Sequence, residues 1–153
     1  MSVSKYFVRN VATVKKDANI EEAIEVMRSY DVHDVIVVEN KEGKPFPLGI
    51  LSCHDIVMKA FSKKATARDL LVRDIMTSHP VTCEEDLGIN ETISLMQKND
   101  IKRLPVVDTA GALVGIVTAS DLFGILSEEF SGLTRRTDRT NWRRKEATTQ
   151  AAV

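Results

Sequence analysis

The chain contains the same stretch twice. Aligned as residue n with n+69, the pairs Thr13/Thr82, Asp17/Asp86, Ile20/Ile89, Glu22/Glu91, Ile24/Ile93, Met27/Met96, Asp31/Asp100, Val37/Val106 and Val38/Val107 are identical without a gap. The first copy then carries three extra residues within NKEGKPFPL. The register resumes at Gly49/Gly115, Ile50/Ile116 and Asp55/Asp121. A repeated unit of this size is one supersecondary motif. A unit of about 55 residues is marginal alone, because so small a chain buries too little apolar surface. Two copies packed through their sheets bury one shared core, so a single domain with pseudo-twofold symmetry is expected.

Each copy reads as β-α-β-β-α. Ile20, Ala23, Ile24, Met27 and Tyr30 recur at helical spacing, as do Ile89, Ile93 and Met96. Asn19 with Glu22 predicts a capping box, and Gly88 with Glu91 holds the same place in the second copy. The runs VIVV (35–38) and LPVV (104–107) each lead through a polar turn to LGIL (48–51) or LVGIV (113–117), which reads as a hairpin. Pro105 suggests an edge position or the first residues of a strand. A last helix is expected near His54 and near Ser120. The boundaries are repeat 1 at about 3–60, a linker helix at about 61–74, repeat 2 at about 75–130 and a tail over 131–153.

Both copies end on a near-identical motif, GILSCHD (49–55) and GIVTASD (115–121). Ser52-x-x-Asp55 and Thr118-x-x-Asp121 fit a helix cap. A helix start also presents free N–H groups and a positive dipole end, to which Thr118 and Ser120 would add hydroxyls for a phosphate. Asp121 would repel phosphate but accept hydrogen bonds from the cis-diol of a ribose. Both roles are open at the same residues.

Other signals are weaker. Cys53 and Cys83 are too few for a disulfide framework and fit a reducing, cytoplasmic setting. Their neighbours His54 and His79 match no structural zinc spacing, so no metal is expected. The cysteines are read as buried strand residues, His79 as a turn residue, and Met27, Met58, Met76 and Met96 as core. No apolar run nears the ~18 residues of a membrane span, and MSVSKYFVRN lacks a signal-peptide core. No P-loop, nucleophile elbow or HExxH appears, so no enzyme and no catalytic cofactor is expected. The tail carries six Lys/Arg and two Asp/Glu with Trp142, against 15 and 20 over residues 1–130. It suits a poorly ordered terminus, docking on a second copy or an anionic partner, or contact with nucleic acid.

The set IMTSHPVT (75–82), the helix with Met96, IKRLPVVD (101–108) and GIVTASD resembles the CBS domain, and the tandem arrangement resembles a CBS pair, or Bateman module, over residues 3 to about 126. The resemblance implies an α/β fold of the α+β type and a regulatory sensor of an adenosine-containing ligand held between the repeats. AMP, ADP or ATP is the expected ligand, with S-adenosylmethionine as the alternative. It also implies a homodimer and an effector protein that reads the change. By position, the implied stronger site comprises Val81, Thr82 and Cys83, Lys102, Arg103, Leu104 and Pro105, then Thr118, Ser120 and Asp121. The weaker comprises Ala12, Thr13 and Val14, His33, Asp34 and Val35, then Ser52, His54 and Asp55. Asp34 stands where the second copy has Arg103, and is expected to weaken the first site toward phosphate. Competing expectations are an adaptor that tethers nucleic acid through the tail, and an enzyme that turns over the bound nucleotide.

Overall fold

A computed structural model describes residue 3, residues 6–60 and residues 66–137. The first repeat runs β1 (Thr13–Lys15), α1 (Ile20–Tyr30), β2 (Asp34–Lys41), β3 (Lys44–Ser52) and α2 (Cys53–Asp55), which continues as a π-type turn over Ile56–Ala60. A four-residue helix α3 (Val72–Ile75) and strand β4 (Thr77–Ser78) follow. The second repeat runs β5 (Cys83–Glu84), α4 (Ile89–Lys98), β6 (Arg103–Val107), β7 (Leu113–Thr118) and α5 (Ala119–Thr137). The expected β-α-β-β-α order is present twice. The sheets are ordered β1-β2-β3-β4 and β5-β6-β7.

Local chemistry explains most of these elements. Asn19 caps α1 by accepting from the Glu22 N–H, and Glu22 accepts from the Asn19 N–H at 2.8 Å. Gly88 caps α4 without a side chain, and buried Thr92 donates back to the Gly88 carbonyl at 2.8 Å. Asp31 and Asp100, identical in the alignment, follow these helices with φ of 53° and 51°, a left-handed conformation that Asp tolerates better than most residues. Glu42 and Gly43, both at positive φ, turn the β2–β3 hairpin. The three extra residues of the first copy lie within this longer hairpin, which reaches Lys41 opposite Lys44.

The cores exchange segments. Val3 and Phe7 lie in the second core, with Cys83, Met96, Leu104 and Val117. Leu70, Val72 and Ile75 lie in the first core, with Ile20, Met27, Val35 and Leu51. Val8 bridges to Ile116, and Thr77 pairs with Ile50, the equivalent contact. Each incoming segment thus adds to the edge of the other repeat's sheet. The equivalent glycines of the two copies make room for this crossing. A Cβ on Gly115 would overlap the Phe7 ring and lie 2.8 Å from the Val8 carbonyl oxygen; one on Gly49 would lie 2.7 Å from Met76 Sδ and 2.8 Å from the Thr77 carbonyl oxygen. Ile36, Val38 and Leu113 join the two repeats in a third apolar cluster.

Several expectations need correction. Over 66–71 the chain turns and bridges Asn19 to Leu71, so the helix expected at about 61–74 is confined, among the described residues, to Val72–Ile75; residues 61–65 lie outside them. Pro105 is the third residue of a central strand. Its missing N–H is tolerated because β5 begins pairing only at Val106, whereas the equivalent Ile36 N–H donates to Ala12. Cys53 is exposed at a helix start, and Met58 is 60% exposed in the π-type turn. Met27 and Met96 are buried, Met76 packs on the first core, and His79 is an exposed turn residue with φ of 55°. The tail beyond 137 lies outside the described residues.

Candidate functional site

The two end motifs form the caps that their spacing predicts. Asp121 Oδ2 accepts from the Thr118 N–H at 2.8 Å and from the Thr118 hydroxyl at 2.7 Å, while Thr118 Oγ1 accepts from the Asp121 N–H at 3.2 Å. Ser52 and Asp55 repeat the pattern at 3.1, 2.6 and 3.0 Å. The Thr118 hydroxyl therefore spends its proton on Asp121 rather than on a phosphate. It fixes one carboxylate oxygen and leaves Oδ1 without a hydrogen bond among the described residues. A fixed carboxylate with an open oxygen suits a vicinal diol.

The copies then diverge. Asp55 also meets Lys59 Nζ at 2.8 Å, and Lys59 donates to the Ile75 carbonyl at 2.8 Å. At the position equivalent to Lys59 the second copy has Ile125, packed on the second core. Burial disfavours the charged form of Asp55, but the hydrogen bonds from Lys59 and Ser52 outweigh it and hold the carboxyl below its ordinary value of 3.8. A depressed carboxyl stabilises the fold above its unfolded pKa, and that contribution is lost as pH falls through the folded value. The parent is therefore expected to exceed Asp55→Asn in stability at pH 7. Urea unfolding should show the gap closing as pH falls below 3.8; a gap unchanged at pH 3 would remove Asp55 from the acid response.

One cleft of about 350 Å³ collects Ala12, His33, Asp34, Arg103, Thr118 and Asp121, a volume within the small-molecule range. Val81, Thr82 and Cys83 do not line it, which corrects the grouping by repeat. The segment leading into β1, not the one leading into β5, completes the cleft of Asp121, because residues 8–12 cross beside β7 through the Val8–Ile116 bridge. By the same relation Thr77 and Ser78 pair with Ile50 and Gly49 of β3, and the His79 N–H donates to the Leu48 carbonyl.

Other candidates belong to the cores. Val14 and Val35 are in the first; Cys83 and Leu104 are in the second. Burial pushes the Cys83 thiol up to about 11. Pro105 is buried, Thr13 and Thr82 are half-buried, and Lys102, Ser120 and His54 are exposed outside this cleft. The sequence reading missed Asn10, Asp31 and Ile116, which also line it. Asp31 was visible as an identical pair, but the pairing reflects its left-handed backbone as much as any ligand.

Asp34 and Arg103 form an ion pair within the cleft. They are equivalent positions of the two repeats, and residues near a twofold axis meet their own counterparts. Arg103, its side chain 35% exposed, is held by Asp34 within this cleft, and Asp34 belongs to the cleft of Asp121. Burial pulls the Arg103 guanidinium below its ordinary value, yet it stays charged at neutral pH.

Comparison with known proteins agrees with this architecture. The model of the CBS domain matches residues 3–61 and 72–128. An uncharacterized protein of Methanopyrus kandleri is 34% identical over 125 residues, 82% of this chain and 62% of that protein. An inosine-5'-monophosphate dehydrogenase of Methanocaldococcus jannaschii is 35% identical over 115 residues, 75% of this chain but 21% of that enzyme. This chain thus spans less than two thirds of these relatives. A CBS domain pair crystallised with 5'-methylthioadenosine and S-adenosyl-L-methionine superposes with a TM-score of 0.72 at 25% identity, covering 84% of this chain and 98% of that one. No helix among the described residues is long and apolar enough to cross a membrane. The duplicated topology, the paired caps and the two matched stretches place the chain in the CBS-domain family, as a tandem pair of CBS repeats.

Proposed function

We propose that this protein is a regulatory sensor that binds an adenosine-containing ligand in the cleft between its repeats. The observation that carries the reading is Asp121, a residue of the cleft lining whose carboxylate is held by Thr118 through Oδ2, leaving Oδ1 for a ligand. That oxygen accepts from the ribose hydroxyls, and the apolar Val11, Ala12 and Ile36 offer the base a dry wall. The adenosyl ligands of the similar CBS pair support the same class. Because residues from both repeats line the cleft, a ligand there shifts how the repeats pack, provided that it prefers one packing. An effector protein reads that shift.

A homodimer fits the surface. Phe123 and Phe130 on α5 are 72% and 66% exposed, and Phe123 lines an apolar groove between α4 and α5 with Ile93, Met96, Leu122 and Leu126. Single exposed apolar residues are ordinary, but a contiguous patch marks an interaction face. Light-scattering mass at micromolar concentration tests this, and a monomer in all conditions overturns it.

The ligand reading is tested by a thermal-shift panel of 5'-methylthioadenosine, S-adenosylmethionine, AMP, ADP and ATP, with GTP as the control. A ligand at 100 times its dissociation constant stabilises by about 2.7 kcal/mol, an easily seen rise in melting temperature. At least one adenosyl compound is expected to give it and GTP is not. A flat panel overturns the reading.

A further inference from the structure

The Asp34–Arg103 ion pair lies in the same cleft as Asp121. In the strand registers Arg103 lies opposite Thr118, and Asp34 lies opposite Ser52. The pair thus spans the two repeats between their end motifs, beside the threonine that holds Asp121. The Asp34 side chain is only 11% exposed and that of Arg103 is 35% exposed. Around them the cleft also carries Asp31 and Asp121. Three carboxylates line a cleft with one guanidinium, and that guanidinium is already taken.

A phosphate has two ways into such a cleft, and both cost affinity. Left unpaired, it shares one cleft with the carboxylates of Asp31, Asp34 and Asp121, whose repulsion is screened only partly at such short range. To win Arg103 it must displace Asp34, leaving a poorly exposed carboxylate without its partner and beside a new like charge. A neutral or positively charged substituent meets neither cost.

We propose that Asp34, by holding Arg103 across the pseudo-twofold axis, makes this cleft select adenosyl compounds that are neutral or positively charged at the 5' position over those with 5' phosphates. This rests on the adenosyl reading above and narrows its ligand class away from AMP, ADP and ATP. Asp34 is a specificity-determining residue whose charge does the work. The equivalent position in the other repeat supplies the cation that it occupies.

Isothermal titration of the parent and of Asp34→Asn with 5'-methylthioadenosine, S-adenosylmethionine and AMP tests the proposal. The parent is expected to bind 5'-methylthioadenosine at least about tenfold more tightly than AMP. Asp34→Asn frees Arg103 and is expected to tighten AMP by about tenfold while moving 5'-methylthioadenosine by less than about threefold. A parent that holds AMP as tightly as 5'-methylthioadenosine, or a variant that leaves their ratio unchanged, overturns the proposal and leaves the adenosyl reading standing. A parent that binds none of the three overturns both. Should the variant fail to fold, the parent supplies a second readout. Raising salt from about 0.05 to about 0.5 M screens the carboxylates and is expected to narrow the gap between the two ligands; a gap that does not move overturns the role of charge.

Discussion

Phe7→Ala is expected to destabilise the protein by about 3–5 kcal/mol, the usual cost of emptying an aromatic site in a core. Phe7 precedes the first strand by several residues, yet it is 8% exposed and packs in the core of the second repeat. Its ring lies over the bare Cα of Gly115. Gly115→Ala is expected to cost about 1–3 kcal/mol by overpacking, because the new methyl meets the ring and the Val8 carbonyl oxygen. The two changes touch the same space, so they should not add. Removing the ring makes room for the methyl, although the Val8 carbonyl stays at 2.8 Å. The double variant should therefore be more stable than the sum of the singles predicts, by about 0.5–3 kcal/mol. Urea denaturation of the four proteins measures this. Simple additivity would mean that the N-terminal segment does not cross onto the second repeat.

That crossing marks where sequence reasoning stopped. The duplication, the strand and helix order and the capping boxes at Asn19, Ser52 and Thr118 were legible, because each is a local pattern of a few residues. The alignment also paired Asp34 with Arg103. It did not show which equivalent residues touch. Contact between counterparts depends on where the twofold axis passes, and the axis is set by packing of Ile36, Val38 and Leu113 between the repeats. The same limit misassigned the cleft. Val81–Cys83 share a repeat with Asp121, but Val11 and Ala12 share its cavity. Cys53 failed because β3 ends at the Ser52 cap and Cys53 opens the helix instead of continuing the strand, and Met58 failed for a different reason. A short helix running into a π-type turn changes the face that each residue presents, so periodicity carried past Asp55 points the wrong way.

The unequal end motifs give the last expected result. Asp121→Ala should weaken an adenosyl ligand by about 10- to 100-fold, since charge-assisted hydrogen bonds contribute about 1.5–3 kcal/mol. Asp55→Ala should change binding in the Asp121 cleft by less than about threefold. The carboxylates have the same capping bonds, so a pure capping role would make the two variants alike in stability and silent in binding. What separates them is a second partner. Lys59 lies on Asp55 at 2.8 Å and is itself tied to the Ile75 carbonyl. A ribose at that site must compete with an ammonium group, whereas at Asp121 the corresponding Ile125 offers no competition. Titration of both variants with 5'-methylthioadenosine decides between these roles. Equal loss in the two would assign binding to both motifs, and no loss at Asp121 would leave it as a helix cap.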